Sequence, residues 1–216
     1  MTPIPAPWSK GLYAITDERL MPDDATLIDA CEAALEAGIA LLQYRNKSGD
    51  EGLRERQARA LKALCDRFDT PLVINDDAAL AWRLGCGVHL GRSDGSIARA
   101  RQVLGPEAIV GATCQNSLEF ARQAREAGAD YVAFGRFYPS TTKPDAPEAA
   151  LSILAQAASL ALPRVAIGGI NAGNIAETVE AGADLIALVE GVFGQPDPGA
   201  AVRLLNARAG WQSVNG

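Results

Sequence analysis

The phrase LEAGIALL at 35–42 returns as REAGADYV at 125–132 and as VEAGADLI at 179–186, and more loosely as RLGCGVHL at 83–90. In each copy a helical stretch stops at a glycine, which tolerates a left-handed cap, and an apolar run follows at once. These runs show almost no polar alternation, the mark of strands buried on both faces, as in a parallel sheet. Extended outward, the same rhythm puts strand starts near Leu12, Leu41, Leu72, Gly87, Ile109, Tyr131, Arg164 and Leu185. Helical patterns fill the gaps at 25–37, 52–68, 78–84, 96–104, 117–127, 148–158, 174–181 and 198–209, with capping side chains at Asp24, Asp50 and Asn116. Eight alternating units in 216 residues predict an α/β fold, a single (β/α)8 TIM barrel, rather than a doubly wound sheet. The barrel should span 11–209, between a flexible N-terminal extension at 1–10, rich in proline, and a C-terminal tail at 210–216.

Hydrophobic residues make up 48% of the chain, enough for a proper core, and alanine dominates them, which favours helix. Twenty Lys and Arg against 26 Asp and Glu leave a net charge of −6, so the chain has no electrostatic case for nucleic acid or an anionic membrane. Any anionic substrate must then meet a local cluster of positive groups. No apolar run is long enough to span a bilayer, and no signal core opens the chain. Cys31, Cys65, Cys86 and Cys114 lie far apart without a CxxC pair, which reads as reduced, mostly buried thiols in a cytoplasmic protein.

A barrel places its chemistry at the C-terminal ends of its strands, and the polar residues of this chain collect there. Strand two ends in Gln43, Tyr44, Arg45, Asn46 and Lys47, strand three in Asn75, Asp76 and Asp77, and strand four runs from His89 to Asp94. Strand five carries Thr113, strand six leads into Ser140, Thr141, Thr142 and Lys143, strand seven into Gly168 and Gly169, and strand eight into Val189 and Glu190. Arg45, Lys47 and Lys143 are three cations at one end of a negative protein, with Arg suited to bidentate phosphate contact; ordinary surface charge is the alternative. Asp76 and Asp94 end neighbouring strands and could share a magnesium ion, or could cap the helices that follow. The Gly168–Gly169 pair admits a close phosphate or simply makes a tight turn. His89, the only histidine, fits a hydrogen-bonded core position better than a catalytic base. The residues alone therefore point to a magnesium-using barrel enzyme acting on a small phosphorylated or diphosphorylated molecule.

At these same residues the chain resembles the thiamine phosphate synthases. The segments are GLYAITD at 11–17, LLQYRNK at 41–47, VINDD at 73–77, GVHLGRSDGS at 87–96, VGATC at 110–114, GADYVAFGRFYPSTTKP at 128–144 and VAIGGINAGNI at 165–175. The resemblance runs in order over nearly the whole chain. It implies condensation of hydroxymethylpyrimidine diphosphate with hydroxyethylthiazole phosphate, or its carboxylated form, to thiamine phosphate and diphosphate. It implies that Gln43, Arg45, Lys47, Asn75, Thr113 and Lys143 contact the pyrimidine diphosphate, with Arg45, Lys47, Lys143 and Thr113 carrying the catalysis. Tyr44 and Asn46 fall in the same substrate-binding segment. It further implies that Asp76 and Asp94 hold magnesium, and that Ser140, Thr141, Thr142, Gly169, Val189 and Glu190 surround the thiazole phosphate. The implied reaction is dissociative, through a pyrimidinylmethyl cation.

The chain departs from the pattern at Glu190, where many members have serine, and at Arg136 and Phe137, where many have Pro-Ile. It also has Ser140 for threonine and Gln115 for histidine. A carboxylate beside a phosphate needs a cation, and Arg136 is the nominated partner of Glu190; the alternative is that Glu190 turns to solvent or caps the segment that follows. Two alternatives stand beside the synthase. A thiazole tautomerase would be expected to carry histidine at 115 and to lack the acid at 76; a phosphate-ligand sensor would be expected to have lost one of Arg45, Lys47, Asp76 or Lys143. The expected partners are small-molecule substrates, and the chain is compatible with a homo-oligomer.

Overall fold

At all four copies of the repeated phrase the glycine does turn left-handed, with φ of 89° at Gly38, 64° at Gly85, 95° at Gly128 and 109° at Gly182. A side chain at such a φ is strained, so the helix must stop there and the strand begins two or three residues later. The computed structural model describes residues 6–139 and 147–211; Ser140, Thr141, Thr142 and Lys143 lie outside the described residues.

The elements run β1 (Gly11–Ile15), α1 (Asp24–Glu36), β2 (Leu41–Tyr44), α2 (Glu51–Arg67), β3 (Leu72–Asn75), α3 (Ala78–Leu84), β4 (Gly87–Leu90) and α4 (Ile97–Leu104). They continue as β5 (Val110–Gln115), α5 (Leu118–Glu126), β6 (Tyr131–Phe134), α6 (Ser152–Gln156), β7 (Arg164–Ile167), α7 (Ile175–Glu180), β8 (Leu185–Leu188), α8 (Glu190–Phe193) and α9 (Pro198–Arg208). Each strand pairs in parallel with the next, and β8 returns to β1 with Leu12 opposite Ile186, closing the (β/α)8 barrel.

Strand periodicity sorts the apolar strand residues between two cores. Odd-numbered positions such as Tyr13, Leu41, Val73, Tyr131, Val165 and Leu185 fill the barrel interior. Even-numbered ones such as Leu12, Leu42, Ile74, Val88, Val132 and Ile186 pack outward under the helices. Each buried aliphatic side chain contributes about 1.5–3 kcal/mol relative to exposure. The aspartate of the repeated phrase adds a register lock. Asp130 Oδ2 accepts the amide of Val110 at 2.7 Å, and Asp184 Oδ2 accepts that of Arg164 at 2.9 Å, so each ties down the first residue of the preceding strand.

The strand starts differ from expectation by at most one residue, but several helix ends do not match. The caps of α1 and α5 are Asp23 and Ser117, not Asp24 and Asn116. The helix expected at 148–158 is only Ser152–Gln156 with a 3-10 turn after it. Its first residues are diverted, because Arg136 donates its amide to Pro147 O and accepts from the amide of Ala149. The four-residue α8 escaped notice because one turn carries no periodicity. Pro7–Ser9, placed by sequence in the flexible extension, form a 3-10 turn with Trp8 packed edge-on against Tyr131 at 6.2 Å between ring centres. Trp211, placed in the tail, packs against the outer core.

Candidate active site

The two-residue period that sorts the core also builds the site. Gln43, Arg45 and Lys47 point inward and line a cavity of about 450 Å3 at the C-terminal end of the barrel. Tyr44 and Asn46 do not join them. They face α2, where the Tyr44 hydroxyl donates to Gln57 Oε1 at 2.8 Å and Asn46 Nδ2 donates to the same oxygen at 3.2 Å. Asn75, Asp76, Asp94, Thr113, Gly169, Val189 and Glu190 line the same cavity as Gln43. Ends of all eight strands thus converge on one space.

Helix capping proves to be the work of other residues. Asp77 caps α3 by accepting from the Leu80 amide at 2.8 Å, and Ser96 caps α4. Asp76, at a left-handed φ of 63°, turns its carboxylate into the cavity instead. Asp76 Oδ2 accepts from Lys47 Nζ in a short ion pair and from Asn75 Nδ2 at 2.6 Å, and the carboxyl groups of Asp76 and Asp94 meet. Burial by itself would raise the Asp76 pKa, but the Lys47 bond and charge, with help from Asp94 and Asn75, hold it below the usual carboxylate value. Gly91 makes room for this pair, since a Cβ there would lie 2.2 Å from Asp94 Oδ2. Among the described residues no cluster of three or more His, Cys, Asp or Glu forms a metal cage. Two neighbouring carboxylates without soft donors suit a hard cation that completes its shell with water and substrate oxygens, as magnesium does.

Arg45 is fixed from behind. Its amide donates to Thr16 Oγ1 at 2.8 Å, and Nη1 stands 3.8 Å from both Asp17 Oδ2 and Glu18 Oε2. Asp17 is 1% exposed, which alone would raise its pKa, yet the bonds from Arg19 and the nearby charges of Arg19 and Arg45 lower it. A standing carboxylate therefore restrains the guanidinium that faces the cavity.

Below the cations runs a buried polar chain that only partly showed in the sequence. Gln43 Nε2 donates to the Tyr13 hydroxyl, which lies 2.7 Å from the Tyr131 hydroxyl. That hydroxyl is 2.8 Å from His89 Nδ1, and His89 Nε2 is 2.8 Å from Thr113 Oγ1. His89 is thus the hydrogen-bonded core histidine expected, although it also touches the cavity. Tyr13 and Tyr131 went unremarked as polar residues. Their odd positions inside apolar strands were the available signal.

The opposite wall is made by the ends of β7 and β8. Gly168 and Gly169 have φ of 102° and 68°, and a Cβ on Gly169 would meet Pro139 O at 2.3 Å, so the β6 loop lies directly upon them. Close packing explains the glycine pair, and Gly169 still borders the cavity beside Val189 and Glu190. Arg136 forms an ion pair with Glu148 at 3.7 Å, and both Arg136 and Glu190 line the cavity.

A family described as thiamine monophosphate synthase matches residues 12–192. The chain is 52% identical to the thiamine-phosphate synthase of Chromobacterium violaceum, covering 95% of this chain and 97% of that one. It is 53% identical to that of Thiobacillus denitrificans, covering 91% and 93%. The thiamine phosphate pyrophosphorylase structure from Pyrococcus furiosus superposes with a TM-score of 0.83 at 32% identity, covering 94% of this chain and 96% of that chain. With the family model spanning all seven inter-strand connections and, Gly11 apart, every strand of the barrel, the chain belongs to the thiamine monophosphate synthase family.

Proposed function

We propose that this enzyme condenses hydroxymethylpyrimidine diphosphate with hydroxyethylthiazole phosphate to give thiamine phosphate and diphosphate. The observation that carries this reading is the pair of facing walls in one cavity. The Asp76 and Asp94 carboxylates and Lys47 stand on one side, and glycine backbone at Gly169 stands on the other. The first suits a diphosphate with its cation, and the second a phosphate monoester met by backbone amides.

Asp76 and Asp94 would hold magnesium, which when bound would neutralise charge on the departing diphosphate. Arg45, Lys47 and Lys143 stabilise the same leaving group. The bond from the pyrimidine methylene to the diphosphate oxygen breaks with its electron pair going to diphosphate. The lone pair of the thiazole nitrogen then forms the new carbon–nitrogen bond, and the positive charge ends on the thiazolium ring. No proton is transferred, so the cavity needs no nucleophile or general base. Its tasks are to bear the leaving charge and to align the acceptor. Gln43, Asn75 and Thr113 hold the pyrimidine, while Ser140, Thr141, Thr142, Gly169, Val189 and Glu190 surround the thiazole phosphate. Gln115, whose Oε1 accepts from Arg92 at 3.1 Å, has no titratable proton to move, which speaks against tautomerisation. Four buried free thiols suit a reducing cytoplasmic setting.

The test is incubation with both substrates and magnesium, followed by mass spectrometry for thiamine phosphate. Equimolar thiamine phosphate and diphosphate are expected. Diphosphate release without the joined product, or isomerisation of the thiazole phosphate alone, would overturn the proposal.

A further inference from the structure

The buried chain of hydrogen bonds has a direction, and that direction reaches the cavity. An amide nitrogen can only donate, so the Tyr13 hydroxyl, which accepts from Gln43 Nε2, must place its own proton elsewhere. Its other partner is the Tyr131 hydroxyl at 2.7 Å. Tyr131 then accepts from Tyr13 and donates its own proton to His89 Nδ1 at 2.8 Å. A neutral imidazole that accepts at Nδ1 carries its proton on Nε2, which donates to Thr113 Oγ1 at 2.8 Å. The Thr113 proton is left over, and Thr113 lines the cavity.

We propose that this chain makes the Thr113 hydroxyl an obligatory hydrogen-bond donor toward the substrate, so that the pyrimidine is recognised there through a ring-nitrogen lone pair. The proposal rests on the functional reading above for the identity of the substrate. Tyr13, Tyr131 and His89 are positioning residues in this scheme, while Gln43 and Thr113, at the two ends of the chain, both line the cavity.

The fold is built to hold the chain still. The Tyr131 ring rises from the first position of β6 across Gly111, where a Cβ would lie 2.0 Å from its Cζ, so no other residue at 111 leaves room for it. The ring stacks on His89 with an interplanar angle of 16°, meets Tyr13 edge-on, and is backed by Trp8. Burial raises the pKa of both phenols well above the ordinary tyrosine value, so neither becomes a phenolate that would reverse the chain.

Because the protein has one histidine, 15N NMR of the imidazole reads the tautomer without assignment. The ligand-free wild type should show Nε2–H and a bare, hydrogen-bonded Nδ1. Gln43→Glu, recorded where the introduced carboxyl is ionised, replaces the donor by an acceptor and should turn the tautomer to Nδ1–H. Adding Tyr131→Phe should cut the connection, so that Gln43→Glu no longer moves it. A wild type in the Nδ1–H form, or a tautomer indifferent to Gln43→Glu, overturns the proposal. In the assay, Tyr131→Phe should raise KM for hydroxymethylpyrimidine diphosphate about tenfold, as expected for one weakened hydrogen bond, and leave KM for the thiazole phosphate unchanged. Equal changes in both would also count against it. The tautomer is read without substrate, so a directed chain in a protein that makes no thiamine phosphate would strike the functional reading alone.

Discussion

At the floor of the barrel Arg101 directs its guanidinium entirely into the chain. Nη1 donates to Gly105 O at 2.8 Å and Ala108 O at 2.6 Å, Nε and Nη2 reach Gly128 O, and Nη2 pairs with Asp130. Arg164 similarly pairs with Asp184 at 2.8 Å. At the opposite end Arg45 has, among the described residues, only longer ion pairs behind it, at 3.8 Å, and Lys47 meets the Asp76 carboxylate at the cavity edge. Charge of one sign thus does two jobs in one fold. Where its donors are satisfied by carbonyls and carboxylates of the chain, it joins strands; where donors remain turned to a cavity, it can meet a ligand's anion.

The sharpest way to break this comparison is at the carboxylate pair. Asp76→Ala or Asp94→Ala should lower turnover roughly a hundredfold or more, with the far-ultraviolet spectrum unchanged, because preorganised charge partners of a leaving group are lost. Full turnover of the wild type in excess chelator would remove the metal from the proposed mechanism.

A paired substitution measures the two ends directly. Lys47→Ala should reduce kcat tenfold or so while shifting stability by less than about 1 kcal/mol, since a half-exposed ion pair adds little to folding. Arg101→Ala should do the reverse, costing about 2–3 kcal/mol in denaturant titration through its lost charged hydrogen bonds, with kcat nearly intact. If Lys47→Ala unfolded the protein and Arg101→Ala spared it, the assignment of the two ends would be reversed.

Tyr44→Phe sharpens the same contrast within one strand. Gln43 faces the cavity and Tyr44 faces α2, so the loss of the Tyr44 hydroxyl should cost about 1 kcal/mol of stability and leave both KM values alone. A raised KM would return Tyr44 to the substrate-binding set. The smallest effect concerns Arg136, which pairs with Glu148 at 3.7 Å. A double-mutant cycle of Arg136→Ala with Glu190→Ser on thiazole phosphate affinity should show coupling of about 1 kcal/mol if the two act together, and additivity if Glu148 is the effective partner.

The sequence alone determined the barrel, because its signals are local: a glycine that must turn left-handed, and an apolar run long enough for one strand. Strand starts were legible for the same reason. That the described strand-end residues gather in one cavity was legible too, since a barrel delivers every strand's C-terminal end to one place. Only the tertiary structure decided which of those residues face one another. Tyr44 and Asn46 were misplaced although a two-residue period would have separated them from Gln43, Arg45 and Lys47. The helix expected at 148–158 lost its first turn to backbone bonds with Arg136, a partner contributed by another loop. The chain from Gln43 to Thr113 joins five strands through side chains up to 118 residues apart, at Tyr13 and Tyr131, and no local pattern records such a meeting. Local sterics write themselves into sequence, whereas the pairing of polar groups across a closed barrel exists only once the barrel has closed.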